Sequence, residues 1–230
     1  MTVSAHAYHR PVCLWRARRF VQSVFSVARL ASEPSRIVLE HKPELRVGVI
    51  SDTHLPYRMA RLPQRVIELL RGVDIILHAG DVDRLDHLEP LRRLAPLYAV
   101  QGNVHFLELS DGGSELPVTL HLTLAGHHVV LTHGGWPDLW TKASDWVVEH
   151  LLGPGGERVN QRMARRLLRQ YPEASVIIFG HTHRAYQAWH GDTLLFNPGG
   201  VCPSVGRVPS LGMLRLSPDH IEAQVIVLDG

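Results

Sequence analysis

The chain has little cysteine and no long apolar run. Cys13 and Cys202 are the only cysteines in its 230 residues. They form no CxxC pair and cannot build a disulfide framework, so a reducing compartment, the cytoplasm, is expected and both read as free packing thiols. No stretch of 18 uncharged apolar residues occurs, so no stable membrane span is expected. Acid is missing from residues 1–32, which hold Arg10, Arg16, Arg18, Arg19 and Arg29. That arm also lacks the continuous apolar centre of a signal peptide, because Arg16, Arg18 and Arg19 interrupt it. Its amphipathic spacing fits a targeting presequence or a membrane-surface helix, but a poorly ordered extension or a mistaken upstream start is the favoured reading. The remainder carries 19 basic against 22 acidic residues with no basic stripe, so no nucleic-acid partner is expected. Internal repeats and low-complexity segments are absent.

What the chain has in excess is histidine, sixteen of them. A hydrophobic fraction of 45% and a charged fraction of 20% describe an ordinary globular chain, long enough for one substantial core. Histidine points to metal only where several converge. The question is therefore where the fold would bring them.

Pro43 separates an N-terminal extension (1–44) from a domain (45–230). RVGVIS (46–51) reads as a buried strand. Leu62, Val66, Leu69 and Leu70 then predict a helix over 59–72, closed by Gly72. VDIILHAG (73–80) is a second strand, 83–94 a helical stretch made uncertain by Pro90, and 96–102 a third strand. This is the β-α-β-α-β rhythm of a parallel sheet. Residues 116–134 read as a hairpin about Ala125-Gly126, followed by helices over 137–152 and 157–171. Short strands follow at 175–180, 185–190, 193–197, 211–216 and 221–228. The pattern predicts an α/β fold of two sheets packed face to face with helices outside.

Ligands of such sheets bind beyond the carboxyl ends of the strands. Asp52-Thr53-His54, Gly80-Asp81, Gly102-Asn103, His133-Gly134 and Gly180-His181-Thr182-His183 all stand at predicted strand ends. Each has an ordinary reading alone: Asp52 a cap, Asp81 and Asn103 turn residues, His54 a surface residue, His133 a satisfied core histidine. Together Asp52, His54, Asp81, Asn103, His133, His181 and His183 are too many donors for one ion. They suit two divalent ions sharing a carboxylate, a site that clamps displacement at phosphorus and turns a shared water into the nucleophile near neutral pH. Mixed carboxylate and imidazole donors suit Mn, Fe, Zn or Ni better than Ca or Mg.

DTH (52–54), GD (80–81), GN (102–103), HG (133–134) and GHTH (180–183), in this order, resemble the calcineurin-like metallophosphoesterase superfamily. ISDTHLP, LHAGDV and NPGG (197–200) look most like its small YfcE-like phosphodiesterase branch. The resemblance implies a four-layer α/β/β/α sandwich of two mixed sheets. It implies a first metal on Asp52, His54 and His183, a bridging Asp81, and a second metal on Asn103, His133 and His181. It also implies manganese as the first choice of ion, with nickel, iron or zinc as alternatives. Asn197 and Gly199 are expected to shape a neighbouring turn.

Two departures stand out. Arg184-Ala185 follows GHTH where the branch often has an apolar residue and proline; Arg184 reads as a phosphate contact or as a solvated surface arginine. After Gly102-Asn103 comes Val104, as in the branch, but His105 replaces its usual acid. His105 reads as the proton donor to the leaving group or as a rim histidine without a chemical role.

The expected activity is metal-dependent hydrolysis of a small phosphate ester, most of all a diester, with Asn103, His105 and His133 in the chemistry. A phosphomonoesterase or nucleotidase would share the site and differ in its rim, residues 104–115 and 134–157, where Trp136 and Trp140 either stack on a substrate or anchor a helix. A non-catalytic VPS29-like interaction scaffold is the alternative of another class; the losses expected of it are missing, because His54, His133, His181 and His183 are all present. Self-association into a homo-oligomer is left open.

Overall fold

The run LRVGVI leaves only Arg46 exposed, the burial of a central strand covered on both faces. It is β2 (Leu45–Ile50) of a computed structural model that describes residues 36–39, 42–103, 116–134 and 156–228. The next run, IILH, is buried at every position and forms β3 (Ile75–His78). Strand β4 (Leu97–Ala99) joins it. These three strands are parallel, and β10 (Ser210–Ser217) and β11 (His220–Val227) extend the sheet antiparallel on the other side, giving the order β11-β10-β2-β3-β4.

A second sheet has six strands: β1 (Arg36–Leu39), β5 (Thr119–Leu124), β6 (His127–Thr132), β7 (Val176–Ile178), β8 (Tyr186–His190) and β9 (Thr193–Asn197). Their order is β1-β5-β6-β7-β9-β8, again with parallel and antiparallel pairs. Val47, Val49 and Leu77 of one sheet meet Leu122, Ile178 and Phe196 of the other in a common core. On the outer face of the five-stranded sheet lie α1 (Gln64–Leu69), a 3-10 turn (Leu85–Leu88) and α2 (Glu89–Arg92), sealed by Val66, Leu70, Leu88 and Leu91. On the outer face of the six-stranded sheet, α3 (Gly156–Gln170) lays Met163, Ala164 and Leu167 against Ile177, Phe179 and Leu195. The layers are α/β/β/α, as expected.

Three local expectations change. The helix expected over 59–72 is confined to Gln64–Leu69, because Pro63 stands at its N-cap and keeps Leu62 out of the helical region. The stretch 83–94 divides into a 3-10 turn and a short helix, with Pro90 in the first turn of the latter, where its missing N–H costs nothing. Residues 36–39, expected within the extension, pair in parallel with β5; Ile37 and Val38 give them strand character. The helix expected over 137–152 lies outside the described residues, as do His105, Trp136 and Trp140. Among the described residues no helix is long and apolar enough to cross a membrane.

Candidate metal centre

Both sheets end their parallel strands at one edge. Asp52 and His54 follow β2, Asp81 follows β3, and Asn103 follows β4; His133 follows β6, and His181 and His183 follow β7. Six non-glycine residues among those described have positive φ, and five of them are Asp52 (53°), His54 (47°), Asp81 (57°), His181 (72°) and His183 (52°). Such backbone is disfavoured for residues with a Cβ and persists only where its surroundings hold it. Here the turns hold one another. The Asp52 N–H donates to the Gly80 carbonyl (3.0 Å) and the His54 N–H to the Asp81 carbonyl (3.2 Å). Gly102 and Gly180 let chain segments come within reach: a Cβ at Gly102 would run into the Asp81 carboxylate, and one at Gly180 into the Ser51 hydroxyl.

The donors converge in two groups. In the first, one donor atom each from Asp52, His54, Asp81 and His183 lies within 4.8 Å of all the others. The His54 and His183 rings stack at 5.1 Å, with their Nε2 atoms 3.2 Å apart. His183 Nε2 stands 3.4 Å from Asp52 Oδ1, and His54 Nε2 stands 3.5 Å from Asp81 Oδ2. In the second, Asn103 Oδ1 lies 2.8 Å from His133 Nε2 and 2.9 Å from His181 Nδ1, while His133 Nε2 is 3.4 Å from Asp81 Oδ1. The two oxygens of Asp81 thus face different groups.

Neighbouring atoms set which ring nitrogen is offered. The Ala79 carbonyl accepts from His133 Nδ1 (2.7 Å), which turns Nε2 toward Asn103 and Asp81. Ser204 Oγ lies 3.1 Å from His183 Nδ1, leaving Nε2 toward Asp52 and His54. Asp83, almost fully buried, has its Oδ1 3.7 Å from His54 Nδ1. Ser51 Oγ (2.6 Å) and the His181 N–H (3.2 Å) donate to Asp52 Oδ2. This leaves Asp52 Oδ1 buried without a hydrogen bond, as are His54 Nδ1 and Asp83 Oδ1. Buried polar atoms are normally satisfied. Unsatisfied carboxylate oxygen beside two converging imidazole nitrogens is the donor set of a divalent cation, so the residues present fit a metal.

The electrostatics centre on the Asp81–His133 pair. Burial alone would raise the Asp81 carboxyl, yet the charge and hydrogen bond of His133, then His54 and His181, hold it far below the usual carboxylate range. Burial alone would lower His133, but Asp81, then Asp52 and the Ala79 carbonyl, raise it to about 9. Burial, with the His133 charge, takes His181 down to about 4, and burial lowers His183 against the pull of Asp52. Asp81 is therefore anionic, the state a cation requires, while the second proton of His133 beside it would have to leave before that imidazole could hold an ion.

Some positioning residues are not evident from sequence motifs. Asp83 stands two places after Asp81, and its one signal is a second acid in GDVD. His78 breaks an apolar run; it is fully buried, accepts the Gly80 N–H at Nδ1 (3.2 Å) and so donates from Nε2 to Thr53 Oγ1 (3.1 Å). It ties the β3 turn to the β2 turn. Ser204 carries no local signal at all. Asn197 donates to the Gly180 carbonyl (2.9 Å) and accepts the Gly199 N–H (2.9 Å), the turn-shaping role expected of it.

Known proteins place this edge in context. A probable metallophosphoesterase of Methanothermobacter thermautotrophicus is 34% identical over 184 residues, 78% of this chain and 91% of the relative. One from Methanocaldococcus jannaschii is 33% identical over 184 residues, covering 80% and 81%. Among solved structures, Vps29 of Cryptosporidium parvum superposes with a TM-score of 0.55 at 19% identity, over 82% of this chain and all 100% of that one. Wild-type Vps29 of Entamoeba histolytica, solved as a complex with zinc, gives 0.54 at 21%, over 80% and 99%. At such identities the structural likeness is one of fold. The model of the calcineurin-like phosphoesterase superfamily domain matches residues 45–219. With that match spanning both sheets, and with two curated relatives covered over 91% and 81% of their length, the chain belongs to the calcineurin-like phosphoesterase superfamily.

Proposed function

We propose that this chain is a phosphodiesterase that depends on two divalent transition-metal ions. The observation that carries the reading is Asp81: one buried carboxylate presents Oδ2 to His54 at 3.5 Å and Oδ1 to His133 at 3.4 Å. This supports Asp52, His54 and His183 as holders of one ion, Asn103, His133 and His181 as holders of the other, and Asp81 as shared by both. Manganese is the first choice, with nickel, iron or zinc as alternatives. When bound, such a pair supplies Lewis acidity at a phosphoryl oxygen and lowers the pKa of coordinated water.

The residues themselves do the positioning. Asn103 turns Oδ1 to the two imidazoles, which leaves its amide N–H groups as donors toward a phosphoryl oxygen. His133 keeps a proton on Nδ1 through the Ala79 carbonyl and would offer Nε2 once the proton there is displaced by an ion. Thr53, His78 and Gly80 lock the turns that carry Asp52 and Asp81. His105 is proposed to protonate the leaving alkoxide, in place of the branch's acid. A buried free Cys202 without a disulfide framework supports a reducing, cytoplasmic setting.

The test is hydrolysis of an activated aryl phosphodiester, and of the matching monoester, by protein loaded in turn with Mn, Ni, Zn and Fe. Turnover of the diester above the monoester is expected. No turnover with any of the four metals would refute the hydrolase reading and leave a VPS29-like scaffold. A reversed preference would make the protein a phosphomonoesterase.

A further inference from the structure

Four arginines of α3 are exposed: Arg158, Arg162, Arg165 and Arg169. Their spacing of four, three and four residues sets them in one file along the helix, about 16 Å long. The file stands opposite the face on which Asn160, Met163, Ala164 and Leu167 are buried. From Arg158 to Gln170 the helix has no Asp or Glu. None of the four guanidinium groups makes an ion pair or a hydrogen bond among the described residues. Arginines four apart with no acid beside them repel, so the file costs the helix stability. Beyond the arm, 19 basic against 22 acidic residues set aside a nucleic-acid partner for want of a basic stripe. The fold of α3 supplies that stripe.

The file starts at the metal centre. Asn160 accepts from Thr182 Oγ1 (2.8 Å), and Thr182 stands between His181 and His183. Asn160 also donates to the Arg184 carbonyl (3.2 Å). Arg166, the one arginine of α3 outside the file, donates to the carbonyl of Gly134, the residue after His133. The helix is thus fastened to both turns that carry His133, His181 and His183. Arg158 and Arg162 stand two residues to either side of Asn160, on the solvent face, and the file runs from there toward Arg169. The ground between is open: a cavity of about 840 Å³ lies between α3, β8, the turn at 206–208 and β11, and both His183 and Arg165 line it.

We infer that the solvent face of α3 binds single-stranded nucleic acid and that a short oligonucleotide is the diester hydrolysed at the metal centre. Resting on the proposed hydrolase reading, this gives that reading a substrate class. Charge is all that the face offers. Between Arg158 and Arg169 no apolar side chain is exposed: Val159 and Leu168 are half-buried, and Met163, Ala164 and Leu167 are buried. Protein and membrane partners draw on apolar anchors. A phosphate backbone is held by guanidinium charge alone. One file of guanidinium groups follows one strand, with successive phosphates along Arg158 to Arg169 and a further one at the metal donors. Hydrolysis there joins the oxygen of water to phosphorus, breaks the P–O bond to one nucleoside and leaves the proton on that nucleoside's oxygen.

The test is fluorescence anisotropy of a labelled oligothymidylate of about twelve nucleotides with the full-length, metal-loaded protein, read before turnover between about 50 and 200 mM salt. Binding should weaken steeply with salt. Arg162→Gln combined with Arg165→Gln should weaken it at least about tenfold and flatten the log–log salt slope by about 1.4, two phosphate contacts at about 0.7 each. Arg61→Gln combined with Arg71→Gln removes the same charge from exposed positions flanking α1 and should change neither. The five arginines of the arm are common to all three proteins, so the difference belongs to α3. No binding by the parent, or equal losses in both double variants, overturns the inference. So does an equal loss, in the α3 variant, of binding to phosphatidylserine vesicles, which would make the partner a membrane. Turnover on the same samples separates the two claims. The ratio of oligonucleotide to aryl phosphodiester kcat/KM should fall about tenfold in the α3 variant. Aryl phosphodiester turnover without oligonucleotide turnover keeps the hydrolase and overturns this substrate. Strand binding that needs α3, with no turnover of either, refutes hydrolysis and keeps the strand site.

Discussion

Left-handed backbone at Asp52, His54, Asp81, His181 and His183 aims their side chains into the space between strand ends, and each such residue costs on the order of 1–2 kcal/mol. Asp and His in these motifs are legible by type and order. Their conformation is not, because it is imposed by hydrogen bonds between turns far apart in sequence. The same holds for Asp83, whose place beside His54 depends on how two turns stack. Asp83→Asn should therefore lower metal affinity 10- to 100-fold, the usual cost of losing a carboxylate that orients a ligand histidine, as measured by competition with a chelator. An unchanged affinity would deny Asp83 that role. His78 makes a prediction about pH. Burial lowers it from 6.5 to about 4 in the fold. Between those values the unfolded chain binds a proton that the folded chain refuses. Stability from this residue is whole above pH 6.5 and is lost as pH falls toward 4, a difference on the order of 3 kcal/mol. Urea titrations over this range should show a flatter pH dependence for His78→Gln than for the parent; parallel curves would contradict the assignment.

At the scale of elements, β2, β3, β5, β6 and β9 are readable from β-branched and apolar runs, and α3 from its period. The shortening of α1 and the splitting of the 83–94 stretch come from Pro63 and Pro90, whose effect on a helix start is local chemistry that apolar spacing conceals. The strand β1 is hidden in the sequence because its partner, β5, lies some 80 residues away and nothing local announces the pairing. Glycines mark where elements approach. Gly102→Ala would push a methyl into the Asp81 carboxylate, so it should cost about 1–3 kcal/mol and also lower metal affinity. Gly126, at φ 84° in the β5–β6 turn, has open space where a methyl would go, with no heavy atom within 4 Å. Gly126→Ala should cost about 1 kcal/mol in backbone strain and leave metal affinity alone. Thermal unfolding with and without metal reads both effects, and equal loss of metal affinity in the two variants would break the account.

Across the whole molecule, the donors come from both sheets. Asp52, His54, Asp81 and Asn103 follow strands of the five-stranded sheet, and His133, His181 and His183 follow strands of the six-stranded one. A cation held there pins one sheet to the other at their shared edge. The four-layer fold and the family are legible because five short motifs recur at strand ends in a fixed order. The cavity beside His183 is not, because its walls come from α3, β8, the 206–208 turn and β11, which meet only in space. Metal at a hundredfold excess over its Kd should stabilise the folded chain by about 2.7 kcal/mol, raising Tm by roughly 5–10 °C for a chain of this size. The most direct test of the central claim is metal content and diester turnover measured together on the parent and on Asp81→Asn. The parent is predicted to hold two divalent ions per chain and to hydrolyse an activated aryl phosphodiester, while Asp81→Asn loses at least one ion and turnover falls by at least about 100-fold. Full metal content and full turnover in Asp81→Asn would contradict the account.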